Sequence, residues 1–346
     1  NGAINLEQTL YAGGAVQAGV KMARLRETRS LWDFQQVVND TLLKVREQFY
    51  AALLAQRQVE VQRESLHLLD EELGSIRRRF QAGTLPRFNV LRAEVELANG
   101  KPALIRAENQ WRLSLEDLAR LLGMQPDEAR LRGVTGGLGQ PSMDWNLSEA
   151  LEEARLRRPE IQSRRRQREM QEQNVVIQEA GWKPSLQAFG NYGYQKERFT
   201  SSFDQENHGW MVGVKGRIPL FDGLETYGKV AEAKADLRTA DWDVSQAELD
   251  VEYDVRRAYS EITEAAELIR ASQTADSQAR EGLREARVRF DAGAGTQLEV
   301  LDARVAMTSA RLNSLQALHD YNLALARLRR AMGVDHVFRY ETEPSP

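Results

Sequence analysis

The sequence holds no cysteine among its 346 residues, which excludes thiol catalysis, disulfides and cysteine-ligated zinc. Proline is scarce, nine in all, and none falls between residues 223 and 290, so nothing there forces a helix to break. The four histidines, at 67, 208, 319 and 336, are scattered and form no His-x-x-x-His pair. No glycine-rich loop follows a strand as phosphate binding requires. No enzyme activity and no cofactor are therefore expected. Neither sign of charge dominates, with 47 Lys and Arg against 51 Asp and Glu, so nothing draws the chain generally toward nucleic acid. No apolar run approaches a membrane helix, and mean hydropathy is −0.55. Membrane contact, if any, has to come from strands. What is present is a 42% hydrophobic content, enough to bury a core.

An internal repeat organises the chain. Arg79-Phe80-Gln81-Ala82-Gly83 reappears as Arg289-Phe290-Asp291-Ala292-Gly293, and Val90, Leu91, Ala93 and Val95 reappear as Val300, Leu301, Ala303 and Val305. The same 210-residue offset pairs Leu10 with Leu220, Trp32-Asp33 with Trp242-Asp243, and Gly123 with Gly333. Roughly a quarter of residues 10–123 are identical at this offset without a gap, which marks a duplication.

Each copy carries a helical stripe of mostly small residues. In copy two it runs Ala233, Leu237, Ala240, Val244, Ala247, Val251 and Val255, then Ala258, Ile262, Ala265, Ile269 and on to Leu283 and Phe290. Steps of three and four make this a heptad-like seam, and about 65 residues of helix span ~100 Å. The spacing predicts a long helix over 223–290, a tight turn over 291–297 and a return helix over 298–332. Copy one follows with its turn near 83–87, and Asn99-Gly100-Lys101-Pro102 is expected to kink or break its return helix. Residues 145–183 read as a helical lead-in capped by Asn146 or Ser148, with Pro159 opening a second helix. Trp32, Trp111 and Trp242 read as packing residues, and Arg77–Arg79 and Arg164–Arg166 as solvated helix faces. The expected layout is repeat one over 1–124, a linker over 125–144, repeat two over 145–334 and a tail over 335–346.

Between 184 and 220 the period changes to two. Leu186, Ala188, Gly190, Tyr192 and Tyr194 share one face, as do Trp210, Val212, Val214, Ile218 and Leu220 on the next strand, with Phe189 the exception. The joining segment, Glu197–His208, is too long for a tight hairpin turn. Such a pair fits a transmembrane barrel, and equally a sheet covering a soluble core. Residues 3–10 match the second strand at the same offset. Copy two thus has a lead-in and a first strand that copy one lacks, and some ~60–70 further residues are expected upstream of Asn1.

The repeated Arg-Phe-x-Ala-Gly turn with its Val-Leu-x-Ala-x-Val return, Arg158-Pro159-Glu160 opening a helix, and Ile218-Pro219-Leu220-Phe221-Asp222-Gly223 leading into the long helix together resemble the TolC-type outer-membrane factor family. The resemblance covers nearly all of residues 3–334. It implies a mainly α fold with a small β part, built as two repeats of long antiparallel helices plus a β-hairpin. It also implies a homotrimer whose helices form a tunnel joined to a shared 12-stranded barrel in outer-membrane lipid. This chain supplies three of the four strands each subunit needs. The implied function is a passive exit duct of a tripartite pump or type I secretion system, with a periplasmic adaptor and an inner-membrane pump as partners.

The family places its tips, which meet the adaptor, at Ala82, Gly83, Thr84 and Leu85 and at Ala292, Gly293, Ala294 and Gly295. Glu299 and Asp302 match its acidic ring at the tunnel entrance, which copy one does not reproduce because Asn89 and Arg92 stand there. Tyr192, Tyr194, Trp210, Val212 and Val214 form the implied barrel face. Gly295, Asn89 and Phe290 replace an Arg, an Asp and a Tyr that hold the closed tip together in the family's best-known member, so closure here is expected to rest on packing. The alternative reading is a soluble coiled-coil scaffold. A periplasmic adaptor is a third, but it requires lipoyl-like β-domains that the sequence does not show.

Overall fold

A computed structural model of the chain describes residues 2–125, 133–143, 145–196 and 206–335. Six helices and three strands follow in order: β1 (Gly2–Ala12), α1 (Ala15–Gln81), α2 (Arg87–Leu122), α3 (Leu147–Arg157), α4 (Pro159–Glu179), β2 (Ser185–Lys196), β3 (Glu206–Arg217), α5 (Glu225–Asp291) and α6 (Gln297–Met332). A short 3₁₀ turn, Ala180–Trp182, follows α4. The duplication is visible in the lengths: α1 and α5 each have 67 residues, α2 and α6 each 36, and the paired elements start 210 positions apart. No helix is long and apolar enough to cross a membrane, among the described residues. The chain divides into two compact units, one of residues 1–36 and 158–251, the other of residues 37–157 and 252–346.

The first unit holds an antiparallel sheet in the order β1-β2-β3. Its register sets Ile4 opposite Tyr192 opposite Trp210, and Leu6 opposite Gly190 opposite Val212. Residues directly opposite share a face, so the apolar alternation of each strand adds up to one continuous apolar surface. Among the described residues that surface covers nothing: Trp210 is 78% and Val212 71% exposed, and Ile4, Leu6 and Val214 are exposed with them. A sheet covering a soluble core is thereby corrected. On the opposite face lie Asn5, Asn191, Glu7, Gln187 and Lys215. Phe189, the exception to the pattern, lies across Gly213, where an added Cβ would come within 2.9 Å of its ring. The ring covers backbone that glycine leaves bare. β3 ends at Arg217 rather than Leu220, just short of Pro219, which has no N–H to give a ladder. β2 reaches Lys196 and β3 begins at Glu206, so most of the expected Glu197–His208 connection lies outside the described residues.

Arginines of α4 do not simply face solvent. Arg164 approaches Asp243 at 4.0 Å, Arg165 pairs with Glu248 at 2.8 Å and Arg168 with Asp241 at 2.5 Å, all on α5. Ser163 donates to Asp33 of α1 at 2.5 Å, and Arg29 to Gln167 at 2.6 Å. A side chain at Gly181 would strike Thr226 at 2.8 Å, so glycine permits the 3₁₀ turn to rest on the first turn of α5. Asp222 accepts the Thr226 N–H there at 2.9 Å, and hydrogen bonds from Thr226 hold its carboxyl below the usual range. Trp242 is 75% exposed, so it is a surface residue and not a packing one.

In the second unit the seam is the core. Val255, Ala258, Ile262, Ala265 and Ile269 of α5 are buried, as are Ala310, Ala317, Ala324 and Ala331, spaced by seven on α6. Beyond Ile269 the stripe opens, and Ala275 is exposed before Leu283 is buried again. Trp111 packs with Phe49 and Tyr50 against Ala52, Leu53 and Leu115. α2 is not broken at Asn99–Pro102, and Pro102 lies inside the helix. Gly100 lies so close to Leu66 and Leu69 of α1 that a Cβ would sit 3.1 and 3.0 Å from their methyls. The glycine marks close helix approach instead of a break. α3 starts on a reciprocal cap, in which the Asn146 side chain accepts from the Glu149 N–H at 2.9 Å and Glu149 accepts from the Asn146 N–H at 3.0 Å. The segment 125–144 and the tail 335–346 are described only at residues 125, 133–143 and 335.

Candidate functional site

The two helix turns have one backbone solution. At the first, Gly83 takes φ +74°, its N–H bonds to the Phe80 carbonyl at 2.9 Å, and the Thr84 N–H bonds to the Arg79 carbonyl at 2.9 Å. At the second, Gly293 takes φ +73°, with Gly293 to Phe290 at 3.1 Å and Ala294 to Arg289 at 2.9 Å. This is the left-handed glycine ending that closes a helix and satisfies its last carbonyls. Ala82, Gly83 and Thr84 are exposed, as are Ala292, Gly293 and Ala294. Leu85 differs from them, packing against the cluster of Leu73, Ile76 and Ala93 and anchoring the turn instead of facing outward. Gly295 is half-buried, and a side chain there would crowd Arg289 and the Phe290 N–H at 3.1 Å. A larger side chain at this position would need Arg289 and the neighbouring backbone to give by a few tenths of an ångström.

The turns are joined by polar contacts that the sequence reading missed. Arg79 pairs with Asp291 at 2.5 Å and sets its guanidinium 5.5 Å from the centre of the Phe290 ring. Gln297, itself buried, donates to the Asn89 carbonyl at 3.4 Å. Within this chain the two turns are thus held together by polar contacts as well as by packing. One signal was available: Arg79 and Phe290 belong to the conserved half of the repeat motif, while Gln81 becomes Asp291, adding an acid in the second copy only.

Glu299 and Asp302 are both exposed, one turn into α6. Thr296 caps that helix by accepting the Glu299 N–H at 3.2 Å, and the Glu299 carboxylate lies 3.7 Å from Arg289. Also missed from sequence, Phe88 is 69% exposed in the first turn of α2. Leu91 and Val95 continue it along an exposed stripe whose 210-offset counterparts are Leu298, Leu301 and Val305. Of the barrel-face candidates, Tyr192, Trp210, Val212 and Val214 lie on the exposed apolar face, whereas the side chain of Tyr194 lies outside the described residues.

Paired helical hairpins with exposed glycine turns, on a chain that also carries an uncovered apolar sheet, define an outer-membrane channel component. The family profile for outer membrane efflux proteins matches residues 1–124 and 150–334, and the chain belongs to that family. Its relatives include the alkaline protease secretion protein AprF of Pseudomonas aeruginosa, 27% identical over 96% of this chain and 69% of that one. Another is the outer membrane protein TolC of Vibrio cholerae, 25% identical over 95% of this chain and 76% of its own length. The fold is shared with the Vibrio cholerae outer membrane protein VceC, at a TM-score of 0.79 and 19% identity over 96% of this chain and 79% of that one. It is shared too with the Campylobacter jejuni CmeC outer membrane channel, at 0.81 and 16% identity over 96% and 70%. The chain is an exit duct of the efflux and secretion type, located in the outer membrane and extending into the periplasm. Families of this kind conduct; they do not catalyse.

Proposed function

We propose that three copies of the chain assemble into one hollow duct, open to the exterior through a shared barrel and gated at the paired helix turns. The observation that carries this reading is the apolar sheet face that covers nothing in its own chain. Lipid tolerates such a face but not unpaired strand edges; with the fourth strand expected upstream in place, closure with neighbouring copies satisfies the edges of the sheet. Inward, Asn5, Asn191, Glu7 and Lys215 give the barrel a polar lining. At the paired turns, Glu299 and Asp302 from each copy form an acidic ring that favours cations. Exposed Ala82, Gly83, Thr84, Ala292, Gly293 and Ala294 meet a periplasmic adaptor, which couples the duct to an inner-membrane pump.

Because the chain has no cysteine, single cysteines read this contact cleanly. Thr84→Cys and Ala294→Cys, carrying a short photo-crosslinker in cells that also express the adaptor, are expected to capture it. Trp242→Cys, equally exposed but on another part of α5, is expected not to. Equal capture from all three positions, or from Trp242→Cys alone, contradicts tip docking.

A further inference from the structure

A few turns behind the two tips lie four charged side chains, one from each long helix: Glu72 on α1, Glu96 on α2, Arg287 on α5 and Arg304 on α6, with Glu72 and Arg304 acting on each other and Glu96 and Arg287 acting on both. Arg304 is only 5% exposed, and its Nε has no hydrogen-bond partner, as is true of the buried Oε2 of Glu72. Burial pushes the Glu72 carboxyl up and pulls the Arg304 guanidinium down, and each opposes the shift of the other. The surrounding helices are in register here. Ser65 of α1 lies 3.4 Å from Thr308 of α6, oxygen to oxygen, and Arg311 of α6 pairs with Glu64 of α1.

The duplication shows why the cluster spans both copies. At the 210-residue offset Arg77 corresponds to Arg287, and Glu94 to Arg304. In copy one Arg77 and Glu94 form an ion pair at 2.7 Å within their own hairpin. In copy two the same two positions hold two arginines, which repel. Glu72 acts on both arginines and Glu96 on Arg304, and the copy-two counterparts of these acids are the uncharged Gly282 and Ala306. Hairpin two is short of two negative charges at this level, and hairpin one supplies them.

We propose that Glu72, Glu96, Arg287 and Arg304 form a pairing lock that fixes hairpin two against hairpin one. A second hairpin two in that place brings two more arginines and no acid, and leaves buried charge uncompensated. The cluster thus selects unlike hairpins as neighbours through what it penalises as well as what it attracts. The registry role does not depend on the duct reading, because it concerns contacts within one chain.

The test places a reporter disulfide at Ser65→Cys with Thr308→Cys in full-length protein held in mild detergent, and follows its oxidation. With the lock intact the bond is expected to form readily. Arg304→Glu is expected to slow it ~10-fold or more, and adding Glu72→Arg to restore it to within ~3-fold of the parent, since the swap returns opposite charges to the site. Arg304→Met, which keeps bulk and removes charge, is expected to slow formation several-fold. A methionine variant that matches the parent, or a swap no faster than Arg304→Glu alone, overturns the proposal and leaves Arg304 as filler. If Arg304→Glu does not assemble, the swap and the methionine variant decide by the same criteria.

Discussion

Replacing Glu299 and Asp302 together with alanine is expected to bring a cation-preferring duct close to indifference between cations and anions. Both carboxylates are exposed at the start of α6 beside the second turn, and the proposed threefold assembly would gather six of them around one aperture. Like charges so gathered concentrate cations at the mouth and bind multivalent ones tightly. Reversal potentials across a planar bilayer measure the first effect, with the cation-to-anion permeability ratio falling toward ~1. Block by a trivalent cation measures the second and should weaken by ~10-fold or more, since most of the site's charge is gone. Glu299→Ala alone is expected to do less than the pair, because Arg289 already lies 3.7 Å from that carboxylate and partly neutralises it. Unchanged selectivity in the double variant places the two acids away from the aperture.

The second large effect concerns the sheet. Val212 and Met211 are neighbours on β3, and a strand turns successive side chains to opposite faces. Val212→Arg puts a charge on the apolar face, at a cost of about 2–4 kcal/mol in the middle of a bilayer. Met211→Arg puts the same charge among Asn5 and Asn191 on the polar face, where it stays solvated and bears on selectivity more than on stability. Heat-resistant assembled protein in outer-membrane fractions is the measurement. Val212→Arg is expected to lose most of it and Met211→Arg to keep it. The opposite order reverses the assignment of faces, and equal loss means the sheet is not lipid-facing.

Much of the fold is legible in sequence because its determinants are local or strictly periodic. The steps of three and four from Val255 to Ile269 lead to a buried seam, and the period-two run in Trp210, Val212 and Val214 leads to one face of a strand. Gly83 and Gly293 end helices because only glycine takes their left-handed conformation cheaply. Tertiary contact overrode local propensity at Gly100, where close packing on Leu66 and Leu69 keeps α2 whole through a stretch rich in helix breakers. It did so again at Trp242, whose place in the helical pattern says nothing about which side remains uncovered. The site's polar links were the least legible. Arg79 and Asp291 are 212 residues apart, and neither the repeat nor the period reveals which of many arginines meets which acid. The Arg304 cluster hides for the same reason, although the loss of the Arg77–Glu94 pattern in copy two marks the place to look.

Single-particle imaging of the full-length protein in mild detergent tests the duct most directly. The account predicts a hollow tube of threefold symmetry with a detergent belt around its sheets. A thin monomeric or dimeric rod without a belt contradicts it, and makes the repeat a soluble scaffold.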